Sequence, residues 1–191
     1  MRVVYETHAT NVHNEAGVAS GWLPGELSAR GRVEAGELGA RRHEVDVVYV
    51  SDLRRALQTV EIAFEGVEKE VRVDRRLREC GYGMYDGRPA VELAAVRRRY
   101  VDEPWPGGGQ SYRDVVEGTR EFLREVREEW GGATVLVVAH SANLWALRHL
   151  VEGVALEELV DAPFAWRPGW EFQVGRTEGD GWGERGQGAV P

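Results

Sequence analysis

The seven residues ATVLVVA at 133–139 constrain the architecture more than any other stretch of this chain. The run is too short to be a buried helix and too continuously apolar for a strand with one wet face. It reads as an interior strand covered on both sides. Two further valine-rich runs, 2–6 and 45–50, have the same character, and each is followed by a helical pattern. Ser28 is placed to cap a helix over 29–42, Ser51 or Asp52 to cap one over 53–64, and Pro89 to open one near Ala90. The strongest helical signal covers 111–130, where Tyr112, Val115, Val116, Thr119, Phe122, Leu123, Val126 and Trp130 keep the three-four spacing of a single buried face. Strands alternating with helices predict an α/β fold, a three-layer sandwich with a mostly parallel central sheet and helices on both faces.

With 191 residues, 42% hydrophobic and 29% charged, the chain is large enough for one ordinary domain, expected over 1–176. The glycine- and charge-rich end at 177–191 carries little apolar material and is expected to be disordered. No apolar run approaches the roughly 18–20 residues of a membrane span, and the start lacks the pattern of a secretory signal, so a cytoplasmic protein is expected. A single cysteine, Cys80, allows no internal disulfide. A net charge of −8 without a basic cluster argues against nucleic acid and membrane partners. Lys69 is the sole lysine, so anions must be handled by arginine. The run Arg97-Arg98-Arg99, with acids nearby, reads as a solvated face.

Ligands of such sheets bind beyond the carboxyl ends of the strands. That rule selects Thr7, His8, Thr10, Asn11 and Asn14 after the first run, 51–55 after the second, and His140 and Ser141 after the third. Two imidazoles and Arg55 converging on one rim would form an anion site with a candidate nucleophile. Other chemistries find less support. Ser141 lies in AHSAN and not in a GxSxG elbow, PGGGQS lacks the lysine of a phosphate-cradling loop, and no GxGxxG follows the first strand. HExxH is absent and the spacing of His8 and His13 is not that of helical ligands, so no metal and no cofactor are expected.

These residues also carry a resemblance. YETHATNVHNEAGVASGWLPGELSARGRVEAGELG resembles the opening of the histidine phosphatase superfamily, in its phosphoglycerate-mutase-like branch, whose usual form is RHGxTxxN followed by LSxxGxxQA. SDLRRALQTVEIA, LRECGYGMYDG, PGGGQSYRDVVEGTREFL and VLVVAHSANLWAL are similar to the family's later blocks, in order, across 2–150. The resemblance implies a phosphatase acting on a small phosphorylated metabolite, and a homodimer is compatible with it. It implies that His8 attacks phosphorus, that Arg55 and His140 grip the phosphoryl oxygens with Asn14 and the Ser141 N–H, and that Glu79 protonates the leaving alcohol. His13 is expected to be structural.

One departure stands out. Thr7-His8-Ala9 replaces the usual Arg-His-Gly, so one pocket arginine is missing and Thr7 contributes a hydroxyl in its place. Either another cation, for example Arg78, enters the pocket, or the substrate's charge is distributed differently, or catalysis has decayed to leave a phospholigand-binding protein. A rebuilt pocket, in which an arginine added at position 7 would lower activity, is the expectation. The segment 85–106 is shorter than the enclosing insert of the mutases, which favours a phosphatase over a phosphotransferase. Its stretch Arg88–Trp105 is expected to shape the substrate pocket, and the mixture of Arg97, Arg98, Arg99, Tyr100 and Trp105 there permits a polar metabolite.

Overall fold

In the computed structural model of the chain, residues 1–175 are described; the end expected to be disordered, 177–191, lies outside them. Five strands form one sheet: β1 (Arg2–Thr7), β2 (Val47–Val50), β3 (Val71–Val73), β4 (Thr134–Ala139) and β5 (Trp170–Gln173). Their spatial order is β3-β2-β4-β1-β5. All neighbours are parallel except β5, which runs antiparallel to β1 at one edge. The ATVLVVA run is thus the middle strand, and its side chains from Val135 to Ala139 are buried on both faces.

Among the described residues, seven α-helices accompany the sheet: α1 (Val12–Glu15), α2 (Ala29–Arg41), α3 (Arg54–Ala63), α4 (Ala90–Val96), α5 (Tyr112–Glu129), α6 (Ser141–Leu147) and α7 (Leu156–Asp161). Alternation along the strands sorts the two faces. Val4, Val48, Val50, Leu136 and Val138 pack with Leu38 of α2 and with Ala56 and Val60 of α3. Val3, Tyr5, Val47, Val135 and Val137 face the other way, against α5, α6 and α7. The α/β layering is therefore as the periodicity implies. Helix α5 is opened by a reciprocal cap: the Asp114 N–H donates to Ser111 Oγ at 3.1 Å and the Ser111 N–H to Asp114 Oδ2 at 2.8 Å.

One local expectation is corrected. Neither Ser51 nor Asp52 caps α3; Leu53 occupies the cap position without a side-chain bond. The Ser51 hydroxyl lies 3.0 Å from His140 Nε2, and the Asp52 carboxylate is held by Arg78, so tertiary partners take both groups. Pro89 stands at the cap of α4, which starts at Ala90 as the sequence implies.

Helix α2 presses on the loop that follows β1. A methyl placed on Gly31 would stand 1.8 Å from the Thr10 carbonyl oxygen, whereas one on Gly36 of the same helix would meet open space. Gly31→Ala is expected to destabilise the protein by about 1–3 kcal/mol, the cost of overpacking. Gly36→Ala is expected to stabilise it by about 0.5–1 kcal/mol through helix propensity. Chemical denaturation of both variants checks the pair; equal responses would remove the close approach from the account.

Candidate active site

The parallel ladder of β1 and β4 ends with Thr7 opposite Ala139, and the next residue on each strand is a histidine. The His8 N–H donates to the Ala139 carbonyl at 2.9 Å, which extends the ladder by one bond and brings the two rings to a centroid distance of 5.1 Å. The loop then turns away under α2 and α3. The Ala9 N–H donates to Thr59 Oγ1 at 3.0 Å, and that hydroxyl donates to the Arg55 carbonyl at 2.7 Å. Ala9 has no positive φ, and its methyl packs with Leu27 and Ala35, so the backbone here does not need glycine.

His8 is oriented at both ring nitrogens. Its Nδ1 lies 2.7 Å from the Ala9 carbonyl, a bond that requires the proton on Nδ1. Its Nε2 accepts from Arg55 Nε at 3.2 Å. Burial, reinforced by the Arg55 charge and opposed by the Ala9 bond, lowers the His8 pKa to about 3. His140, deeper and fully buried, is likewise held below the ordinary imidazole value by burial, Arg55 and His8. Its Nε2 faces Ser51, while its Nδ1 is buried without a hydrogen-bond partner. A buried ring nitrogen without a partner calls for a ligand atom.

Arg55 enters from the first turn of α3 and is 1% exposed. Besides His8, its guanidinium donates to the carbonyls of Gly21 at 2.8 Å and Leu23 at 3.4 Å. Carbonyls orient the fork but leave its positive charge in place. Glu79 completes the cluster from the other side. One carboxylate oxygen accepts from the backbone N–H groups of Cys80 at 2.8 Å and Ala142 at 3.2 Å, the other from Ser141 Oγ at 2.9 Å. Asn14 spends its carbonyl on the cap of α1, accepting from the Asn11 N–H at 3.1 Å.

These groups meet at a cavity of about 440 Å³. Thr7, His8, Asn14, Arg55, Glu79 and Ser141 line it, and His140 lies just behind His8. The remaining wall is largely apolar and aromatic, with Leu93 and Ala94 of α4, Trp145 of α6, and Phe164 and Trp166 from the segment before β5. Among the described residues no three His, Cys, Asp or Glu side chains are grouped as metal ligands, and no helix is long and apolar enough to cross a membrane. His13 bonds through Nδ1 to Ser20 Oγ at 3.0 Å.

Arg78, the cation named as a replacement, does not line the cavity. Arg78 forms a two-bond fork with Asp52, both distances 2.6 Å, and lies over the Trp22 ring, lining a separate cleft. The segment 88–105 shapes the cavity as expected, through Ala90, Leu93 and Ala94 of α4 and through Arg97. Arg98 pairs with Asp161, Arg99 is exposed, and Tyr100 stacks at 4.0 Å on Trp105, which is buried in the core. Arg97 alone of these five lines the cavity, so it is not part of a solvated face. Nothing in the spacing of three consecutive arginines distinguishes the first.

Residues 7–168 match the model of the histidine phosphatase superfamily (branch 1), and the chain belongs to that family. Among characterised relatives, phosphoserine phosphatase 1 of Hydrogenobacter thermophilus is 33% identical, across 83% of this chain and 79% of that protein. Glucosyl-3-phosphoglycerate phosphatase of Mycobacterium tuberculosis is 32% identical, across 97% of this chain and 96% of that protein. The solved structure of the mycobacterial glucosyl-3-phosphoglycerate phosphatase with VO3 superposes with a TM-score of 0.72 at 28% identity, covering 83% of this chain and 85% of that one. Bacillus stearothermophilus YhfR shares the fold with a TM-score of 0.79 at 24% identity, over 91% of each chain. The protein is a phosphatase of this superfamily.

Because the His8 pKa in the folded protein lies below its unfolded value, protonating the ring favours unfolding. Stability is expected to fall as pH drops from about 6.5 towards 3, by up to about 1.4 kcal/mol per pH unit for this group. His8→Gln is expected to flatten that slope. NMR of the imidazole should show no His8 titration between pH 5 and 8; a midpoint near 6.5 would contradict the buried, neutral ring.

Proposed function

We propose that the protein hydrolyses the phosphomonoester of a small metabolite through a phosphohistidine on His8. The observation that carries this reading is the state of His8: neutral, protonated on Nδ1 through Ala9, with the Nε2 lone pair directed at the buried Arg55. In the proposed first step the Arg55 Nε–H, keeping its proton, redirects its hydrogen bond from His8 Nε2 to a phosphoryl oxygen, which releases the lone pair for attack. The Nε2–P bond forms, the ester P–O bond breaks, and Glu79 gives its proton to the departing alkoxide. In the second step Glu79 takes a proton from water, the new O–P bond forms, and the N–P bond breaks to release phosphate.

Arg55 and His140 stabilise the charge on the equatorial oxygens, and the unpartnered Nδ1 of His140 is the donor available for this. Thr7, Asn14 and the Ser141 N–H complete the phosphoryl cradle. Delivery to water, and not to a second organic acceptor, is supported by the two relatives named as phosphatases at 33% and 32% identity. None of the three groups that donate to the Glu79 carboxylate is a cation, so its hydrogen bonds orient it towards the leaving group without an ion pair.

His8→Ala is expected to abolish phosphate release from p-nitrophenyl phosphate and the acid-labile phosphate on the protein. Labelling that persists without His8 would assign the nucleophile elsewhere. With Arg78 engaged by Asp52, the expectation for position 7 reverses. Thr7→Arg adds a charge-assisted bond of about 1.5–3 kcal/mol, so kcat/KM for the same ester should rise about ten- to hundredfold. A fall would show that the space beside His8 is closed to a second guanidinium.

A further inference from the structure

The two carbonyls that orient Arg55 belong to a strap, residues 20–23, that is neither helix nor strand. Backbone bonds hold the residue before it: the Gly87 N–H donates to the Ala19 carbonyl at 2.8 Å, and the Ala19 N–H to the Arg88 carbonyl at 2.9 Å. Within the strap a side chain takes over. Asp86 Oδ2 accepts from the Trp22 N–H at 3.3 Å, and Asp86 Oδ1 accepts from the Tyr82 N–H at 3.0 Å. One carboxylate therefore joins the strap to the turn that follows Glu79. The Trp22 indole adds a second tie, since its Nε1 donates to the Glu79 carbonyl at 2.6 Å. Gly21, at a φ of +49°, leaves the room this requires: a methyl there would collide with Asp86 Oδ1.

We infer that Asp86 is a positioning residue for the reaction, acting through the strap on Arg55 and through the turn on Glu79, and so fixing the phosphoryl clamp and the acid relative to each other; this rests on the phosphatase reading above. Arg55 comes from α3 and Glu79 from a loop, and among the described residues no ion pair joins them, so their separation must be set by what both are tied to. Asp86 is that common anchor. It does not line the cavity, whereas Gly21 and Tyr82 on either side of it do, so it shapes the site without touching a ligand. Its carboxylate is half-buried and, among the described residues, is within ion-pair distance of no cation. Burial raises the Asp86 pKa, opposed by the Trp22 and Tyr82 bonds and by the Arg55 charge. Asp86 in turn is among the charges that oppose the lowering burial imposes on Arg55. Closing the local turn does not require this side chain, because the Asp86 N–H alone donates to the Gly83 carbonyl at 3.1 Å. A buried carboxylate without a counter-ion is costly, and what it does here is hold two segments whose carbonyls and side chains face the phosphoryl group.

A double-mutant cycle tests this. Asp86→Asn keeps the shape of the side chain, but its amide offers an oxygen to one N–H and turns its NH2 group towards the other. In the wild-type background it is expected to lower kcat/KM for p-nitrophenyl phosphate roughly ten- to hundredfold, the effect of a small misplacement at the reacting centre. In Arg55→Lys, whose point charge cannot grip both carbonyls, the same change should cost less than about twofold. The Kd of orthovanadate, read by calorimetry in the same four proteins, should follow the same pattern and needs no turnover. Equal losses in the two backgrounds would overturn the inference and make Asp86 a structural residue only; so would an Asp86→Asn protein with wild-type rate and Kd. Trp22→Phe decides independently where the cycle cannot be completed, since it keeps a ring beneath Arg78 and removes only the indole bond to the Glu79 carbonyl. Its kcat should fall several-fold for an alkyl ester such as glycerol 3-phosphate, and hardly at all for p-nitrophenyl phosphate, whose phenolate leaves without a proton; equal falls, or none, would count against the tie. If no ester is hydrolysed by the wild type yet the Kd cycle shows the coupling, the hydrolase reading fails and the tie between Asp86 and Arg55 stands. If esters are hydrolysed and the cycle is additive, the reverse holds.

Discussion

The pairing of β1 with β4 is the contact on which the rest of the site depends. Thr7 lies opposite Ala139, so two residues distant in sequence, His8 and His140, leave adjacent parallel strands at the same level. A slip of one residue would turn the side chains of one strand to the other face and separate the rings. The Tyr5 hydroxyl, which donates to the His140 carbonyl, adds a side-chain lock between the same two strands. Because β2 pairs with the far side of β4, the start of α3 reaches the same rim and carries Arg55 into it. The loop after β1 turns towards α2, whereas β4 continues directly into α6, on the other face of the sheet. That divergence opens the crevice.

Within the crevice, burial sets the chemistry. Both imidazoles are neutral because low polarity and the Arg55 charge disfavour the protonated form. Arg55 remains charged but is held by backbone carbonyls, which orient without neutralising. The cluster therefore combines a lone pair, a cation and an unpartnered ring nitrogen around one point, an arrangement that has no stability rationale of its own. The strand pairing and helix packing around it bear that cost.

The residues whose expected roles changed share a physical cause. Ser51 and Asp52 have the composition and position of helix caps, yet the hydroxyl faces His140 and the carboxylate holds Arg78. A cap is a local bond, and a buried partner in tertiary contact competes with it directly. Arg78, adjacent to Glu79 in the chain, was the natural substitute for a missing cation until Asp52 engaged it. Trp105, expected at the pocket, is instead packed against Tyr82, Tyr85, Tyr100 and Tyr112.

The α/β layering, the helices α2, α3 and α5, and the candidate residues His8, Arg55 and His140 were legible in the chain itself, whereas Glu79 was singled out only by the family resemblance of LRECGYG. Strand and helix periodicity are local properties, and residues at strand ends must face the crevice whatever packs around them. The antiparallel edge strand β5, the short β3 and the apolar wall of the cavity were not legible, since their few residues carry too little periodicity to stand apart from loops. Arg97 shows the limit most clearly. In sequence it is the first of three equivalent arginines; in the fold Arg98 is spent on Asp161, Arg99 is exposed, and Arg97 alone reaches the cavity, over Trp145. Which charge is paired and which is left to face the cavity depends on distances between segments far apart in the chain, and those distances exist only once the sheet has closed.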